Sequence, residues 1–175
     1  MRVLVAEDDA IARRVLTALL SLWGYDVVVV NEGQAAWDVL SQADPPRIAL
    51  LDWEMPGLDG IEICRRIRVH RSEPYTYLLL LTGRRARADM LDGLAAGADD
   101  YVAKPFDEAE LKARMSVGLR IATLQADLIA ARETMREFAL HDALTGSLNR
   151  AGVLDALEIE LARLRRQGIP LAAAR

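Results

Sequence analysis

The sequence predicts an α/β domain built as a doubly wound parallel sheet and extended by a long C-terminal helix. Two observations carry this fold class. Five short apolar runs alternate with segments of helical spacing, and each run is apolar throughout instead of alternating with polar residues. A strand that is apolar at every position is buried on both faces, as in a parallel sheet covered by helices on each side. Right-handed βαβ crossovers then make the doubly wound arrangement the economical one.

The strand candidates are Val3 to Ala6, Val27 to Val30, Ile48 to Leu51, Leu78 to Leu81 and Tyr101 to Ala103. Between them, helical spacing fills Ala10 to Trp23, stopped by Gly24, and Gln34 to Leu40, stopped by Pro45 and Pro46. Ile61 to Val69 follows, and then Arg87 to Ala96, stopped by Gly97. After Pro105 the pattern changes. Asp107 to Leu140 contains no proline and a single glycine, Gly118, which predicts one long helix. Along it Ile121, Leu124, Leu128, Ala131, Met135 and Phe138 are spaced 3, 4, 3, 4 and 3, the a/d alternation of a coiled coil. Asp127 at g and Arg132 at the following e would pair across a parallel dimer. The same stripe could instead pack on the preceding domain as an ordinary helix face.

With 175 residues the chain holds one ordinary domain and a remainder. That remainder, His141 to Arg175, offers one amphipathic helix (Val153, Leu157, Leu161, Leu164) before Gly168 and Pro170, then an apolar run from Leu171 to Ala174. It is too short to bury a core unaided and reads as the front of a further domain. Lys+Arg 22 against Asp+Glu 26 gives a net charge of -4, without the basic footprint of a nucleic-acid binder. No stretch approaches the ~18 apolar residues of a membrane span. The acidic run Glu7 to Asp9 comes before any signal-peptide core could form, and the single Cys64 has no disulfide partner within the chain, so the expected home is cytoplasmic.

In a doubly wound sheet, ligands collect beyond the carboxyl ends of the strands. Glu7, Asp8 and Asp9 follow strand 1, Asp52 strand 3, Thr82 strand 4, and Lys104 with Pro105 strand 5. Carboxylates gathered there repel one another and need a cation, and an all-oxygen site suits Mg²⁺ or Mn²⁺. Thr82 and Lys104 can donate to oxygens, so the pocket fits a phosphoryl group on a carboxylate nucleophile, with Asp52 the candidate. Any one Asp after a strand is commonly a turn or cap residue; acids, a hydroxyl and an ammonium at four strand ends are a constellation.

"VLVAEDD", "LLDWEMPGLDG", "LLLLTG" and "YVAKPF", in this order, resemble the receiver domain of two-component response regulators over about residues 1–120. The resemblance implies the flavodoxin-like strand order 2-1-3-4-5 and a phospho-acceptor at Asp52, served by a sensor histidine kinase or phosphotransfer protein. It implies an acidic pair at Glu7 and Asp8, with Asp9 ranking below them as a ligand. Mg²⁺ would take Asp8, Asp52 and the backbone carbonyl of Glu54, with Glu7 acting through water. Thr82 is then the hydroxyl switch, Lys104 the lysine with a cis bond to Pro105, and Tyr101 the rotameric aromatic. The signal would pass from Asp52 through Thr82 and Tyr101 to the face of helix 4, strand 5 and helix 5. That face would self-associate with Asp100 and Arg114 as a cross-subunit pair. Glu stands at position 7 where Asp is commoner, which changes only reach. Glu54 and Arg84 flank the site and would either pair with each other or remain solvated loop charges.

The C-terminal "HDALTGSLNR", an amphipathic helix and "GIPLAAAR" resemble the opening of the GGDEF domain of diguanylate cyclases, with Ser147 where Leu is usual. The resemblance implies a receiver (1–120), a helical stalk (107–140) and the start of a GGDEF domain (141–175). The parent would be a homodimeric cyclase making cyclic di-GMP from GTP, whose signature lies beyond Arg175. The competing reading is an independent Mg²⁺-dependent phosphohydrolase with an aspartyl-phosphate intermediate. Glu54 would be its acid/base, but Pro56 departs from the expected Thr or Val and no substrate cap is visible. A flavodoxin-like cofactor binder is disfavoured, because acidic residues after strand 1 repel a phosphate.

Overall fold

The structure, a computed structural model, describes residues 1–70, 74–83, 87–142 and 145–167. Contacts divide the chain into two units, Met1–Ala126 and Asp127–Arg175. In the first unit β1 (Arg2–Ala6), β2 (Asp26–Val30), β3 (Ile48–Asp52), β4 (Tyr77–Thr82) and β5 (Asp100–Ala103) form one parallel sheet in the order β2-β1-β3-β4-β5. The helices α1 (Ala10–Leu22), α2 (Gly33–Leu40), α3 (Gly60–His70) and α4 (Arg87–Ala95) connect the strands, and α5 (Glu108–Leu140) follows β5. This is the expected doubly wound fold with its long helix.

Each central strand is apolar throughout because it serves two cores. Leu4, Ala6, Leu51, Leu78 and Leu80 point to a layer containing Ala36 and Leu40 of α2 and Ile63, Cys64 and Ile67 of α3. Their alternates Val3, Val5, Leu50, Leu79, Leu81 and Val102 point to Leu16 and Leu20 of α1 and Leu111 and Met115 of α5. Every residue of β3 and β4 is buried, as period-2 alternation between two covered faces requires.

The first turns of α5 present Leu111, Met115, Gly118 and Ala122 to the sheet. Gly118 permits that approach, since a Cβ built there would lie 2.6 Å from the Tyr77 ring. Ile121, the first residue of the a/d stripe, is partly buried and also packs against this core, so the docking face of α5 reaches into the start of the stripe. Leu124 is 61% exposed, Leu128 64%, Met135 72% and Phe138 75%.

In the second unit the end of α5 is followed by α6 (Arg150–Gln167). The turn between them is built from its own polar residues: Asp142 Oδ1 accepts from Thr145 N at 3.0 Å, and Gly146 takes a positive φ of 69°. An antiparallel bridge joins His141 to Leu148, and Asn149 donates its side-chain amide to Ala139 O at 2.8 Å. Its Oδ1 accepts from Gly152 N, so Asn149 also caps α6. The Leu171 to Ala174 run and Arg84, with its expected pairing to Glu54, lie outside the described residues.

Candidate functional site

Sheet register brings the candidate residues to one edge. Ala6 is opposite Leu51, Asp52 opposite Leu81, and Thr82 opposite Ala103, so the chain leaves β1, β3, β4 and β5 at nearly one level. Asp52 and Thr82 are the last residues of their strands and both are buried. The β3–α3 loop is held tightly beneath them. Trp53 N donates to Leu81 O at 2.8 Å and Gly60 N to Trp53 O at 3.0 Å, while a Cβ on Gly60 would lie 2.4 Å from Asp52 O. Glycine is required at this closure.

Glu7, Asp8 and Asp52 each place a carboxylate oxygen within 4.8 Å of the others. Lys104 Nζ, carried past β5 on a cis Lys104-Pro105 bond, lies 2.8 Å from Asp52 Oδ2 and 2.7 Å from Glu7 Oε2. Its directed hydrogen bond to Glu7 goes to Oε1 at 2.8 Å; the buried Oε2 is close to the ammonium as a charge but accepts no aligned bond. Burial, with the neighbouring Asp52 adding to it, pushes the Glu7 carboxyl up to about 7 against the opposing pull of Lys104. Burial pulls the Lys104 ammonium down, but the hydrogen bonds and charges of Asp52 and Glu7 outweigh it and leave the group raised.

A cavity of about 350 Å³ opens here, lined by Asp8, Asp52, Trp53, Glu54, Thr82, Gly83 and Lys104. The donor set is all oxygen and carries more negative charge than one lysine neutralises, and a buried carboxylate oxygen lacks an aligned donor. These residues therefore fit a hard divalent cation such as Mg²⁺ or Mn²⁺.

Asp9 belongs to the helix and not to this cluster: its Oδ1 accepts from Ile11 N at 3.0 Å and Ala12 N at 2.7 Å, capping α1. Tyr101 is half-buried on β5, packed against the α2/α3 core, with the Arg114 guanidinium 5.6 Å from its ring centre. Arg114 pairs within its own chain, with Asp100 and with Glu110 at 2.9 Å. β5 and the first turns of α5 bring these charges together within one chain. Sequence reasoning also missed Arg13, whose Nη1 donates to Glu7 O at 2.8 Å and Asp8 O at 2.9 Å. A basic residue one turn into the helix that follows an acidic strand end is the signal that could have found it.

The family model of the response regulator receiver domain matches residues 3–116. The chain belongs to the response regulator receiver family. Among curated relatives, the transcriptional regulatory protein CseB of Streptomyces coelicolor is 43% identical over 118 residues, covering 67% of this chain and 49% of the relative. The chain spans about half to two thirds of the length of such curated relatives. The receiver of a Pseudomonas aeruginosa sensor histidine kinase, solved with magnesium coordinated in its active-site cleft, is 31% identical with a TM-score of 0.59. That match covers 70% of this chain and 97% of the kinase receiver. A solved "probable two-component system response regulator/GGDEF domain protein" is 28% identical with a TM-score of 0.65, covering 70% of this chain and 50% of that one. As a receiver, this chain acts in phosphorylation-dependent signalling, and receivers bind Mg²⁺ at an acidic pocket of this kind. Among the described residues, no helix is long and apolar enough to cross a membrane.

Proposed function

We propose that Asp52 is the phospho-acceptor of this receiver and that its donor is the phosphohistidine of a sensor kinase or phosphotransfer protein. The observation that carries this reading is the Lys104 ammonium, a lining group of the cavity, set against both Asp52 and Glu7. One Asp52 oxygen attacks phosphorus as the bond to the donor's histidine nitrogen breaks. The nitrogen keeps the electron pair and Asp52 becomes a mixed acyl phosphate. Asp8, Asp52 and the Glu54 carbonyl, with Glu7 through water, would hold Mg²⁺, which neutralises charge on the transferred group. Lys104 offsets the remaining charge, and the Thr82 hydroxyl turns toward the phosphoryl oxygens, vacating space for the Tyr101 ring on the adjacent strand.

The stripe Leu124, Leu128, Ala131, Met135 and Phe138 forms the seam of a parallel homodimer in this reading, with Asp127 facing the partner's Arg132. The output is a diguanylate cyclase whose first residues are 141–175. The polar turn made by Asp142, Thr145 and Asn149 supports this, and the response regulator/GGDEF neighbour carries both kinds of domain in one chain. Transcriptional regulators such as CseB are the second reading of the output, favoured by their identity over the receiver; that identity is shared by receivers whatever lies downstream.

Incubation with acetyl phosphate and Mg²⁺ followed by intact mass should show one added phosphoryl group on the wild type and none on Asp52→Asn. Sustained turnover of added phosphoesters would instead favour the hydrolase.

A further inference from the structure

Glu7 and Asp8 adjoin in sequence, and neighbours in an extended strand point to opposite faces. Their carboxylates nonetheless meet in one cluster with Asp52. The strand must therefore be broken between them: β1 ends at Ala6, and the chain bends at Asp8 before α1 begins. Successive carbonyls of an extended chain also diverge, yet one nitrogen of Arg13 donates to both Glu7 O and Asp8 O, at 2.8 and 2.9 Å. Only a bent chain offers both oxygens to a single donor. Arg13 sits in the first turn of α1, whose start is fixed by the Asp9 cap, so the clamp is anchored on a rigid element.

We infer that Arg13 is a positioning residue for the acid cluster. By holding both carbonyls toward α1 it holds both carboxylates toward Asp52, and so sets the affinity of the site for its divalent cation. The inference rests on the Mg²⁺ reading above. Two effects of the guanidinium oppose each other. As a charge it repels a cation, so its removal would tighten binding; as a clamp it preorganises ligands, so its removal loosens binding. Groups that orient metal ligands from behind are commonly worth about 10- to 100-fold in affinity, whereas repulsion across a partly solvated loop is screened. The clamp should dominate.

The test is a titration with Mn²⁺, free ion being counted by electron paramagnetic resonance and Mg²⁺ used as competitor, on the wild type, Arg13→Ala, Arg13→Lys and Asp8→Asn. Arg13→Ala should bind about tenfold more weakly. Arg13→Lys, whose single ammonium can serve both oxygens as Nη1 does, should recover much of the loss. Melting curves in EDTA control for folding, and a merely structural role would lower the melting temperature without moving Mn²⁺ affinity. Binding by Arg13→Ala equal to or tighter than wild type would overturn the inference while leaving the Mg²⁺ site standing. A wild type that binds no Mn²⁺, or an Asp8→Asn that binds normally, would overturn both.

Discussion

Lys104 Nζ lies 2.8 Å from Asp52 Oδ2, and the same ammonium is 2.7 Å from Glu7 Oε2. The cation therefore holds together two carboxylates that would otherwise repel one another in a largely buried corner. Replacing Lys104 with Ala leaves them facing each other. Breaking a buried pair on one side costs about 3 kcal/mol. The loss should be partly restored by Mg²⁺, which substitutes its own charge. Thermal unfolding with and without Mg²⁺ checks this: the metal should stabilise Lys104→Ala more than the wild type.

Gly60→Ala should damage the site through the backbone. A Cβ 2.4 Å from Asp52 O cannot be accommodated by rotating a side chain, so α3 or the end of β3 must shift. Overpacking of this kind costs about 2 kcal/mol. Chemical denaturation should show that loss together with slower phosphorylation by acetyl phosphate.

Cys64 should be inert in the folded chain. Burial pushes its thiol up to about 12, and the thiolate is the nucleophile, so at pH 8 the group stays in its unreactive thiol form. Alkylation by iodoacetamide should follow global unfolding in denaturant. Rapid labelling under native conditions would place Cys64 outside the core.

The α5 stripe should govern self-association and not the fold of the receiver. Leu124 and Leu128 are 61% and 64% exposed, so replacing both with Lys removes no buried contact of the receiver core. In the proposed seam a cross-chain Asp127–Arg132 pair would contribute at most ~1 kcal/mol, and the apolar residues would supply the rest. Analytical ultracentrifugation should find this double variant monomeric with phosphorylation retained; an unchanged dimer would exclude the seam.

Element order, strand positions and the site constellation were readable in the sequence because each rests on a local pattern. Apolar runs in β3 and β4 reflect two-sided burial, and Asp52, Thr82 and Lys104 stand where strands end. What could not be read depends on side chains meeting across the fold. Arg13 reaches back to carbonyls, which carry no residue identity. Arg114 found Asp100 within its own chain, and Ile121 joined the receiver core. The clamp in which Arg68 binds Asp99 at 2.7 Å, with Tyr75 donating to the same carboxylate, spans elements that no single window joins.

In the proposed reaction the phosphoryl group resides on Asp52. After phosphorylation, borohydride reduces an acyl phosphate to an alcohol, which marks the modified carboxylate in a peptide mass spectrum. The mark should fall at Asp52 alone, depend on Mg²⁺ and be absent from Asp52→Asn. A mark at Asp8, Glu7 or Glu54, or none in a chain whose intact mass has gained a phosphoryl group, would contradict that assignment.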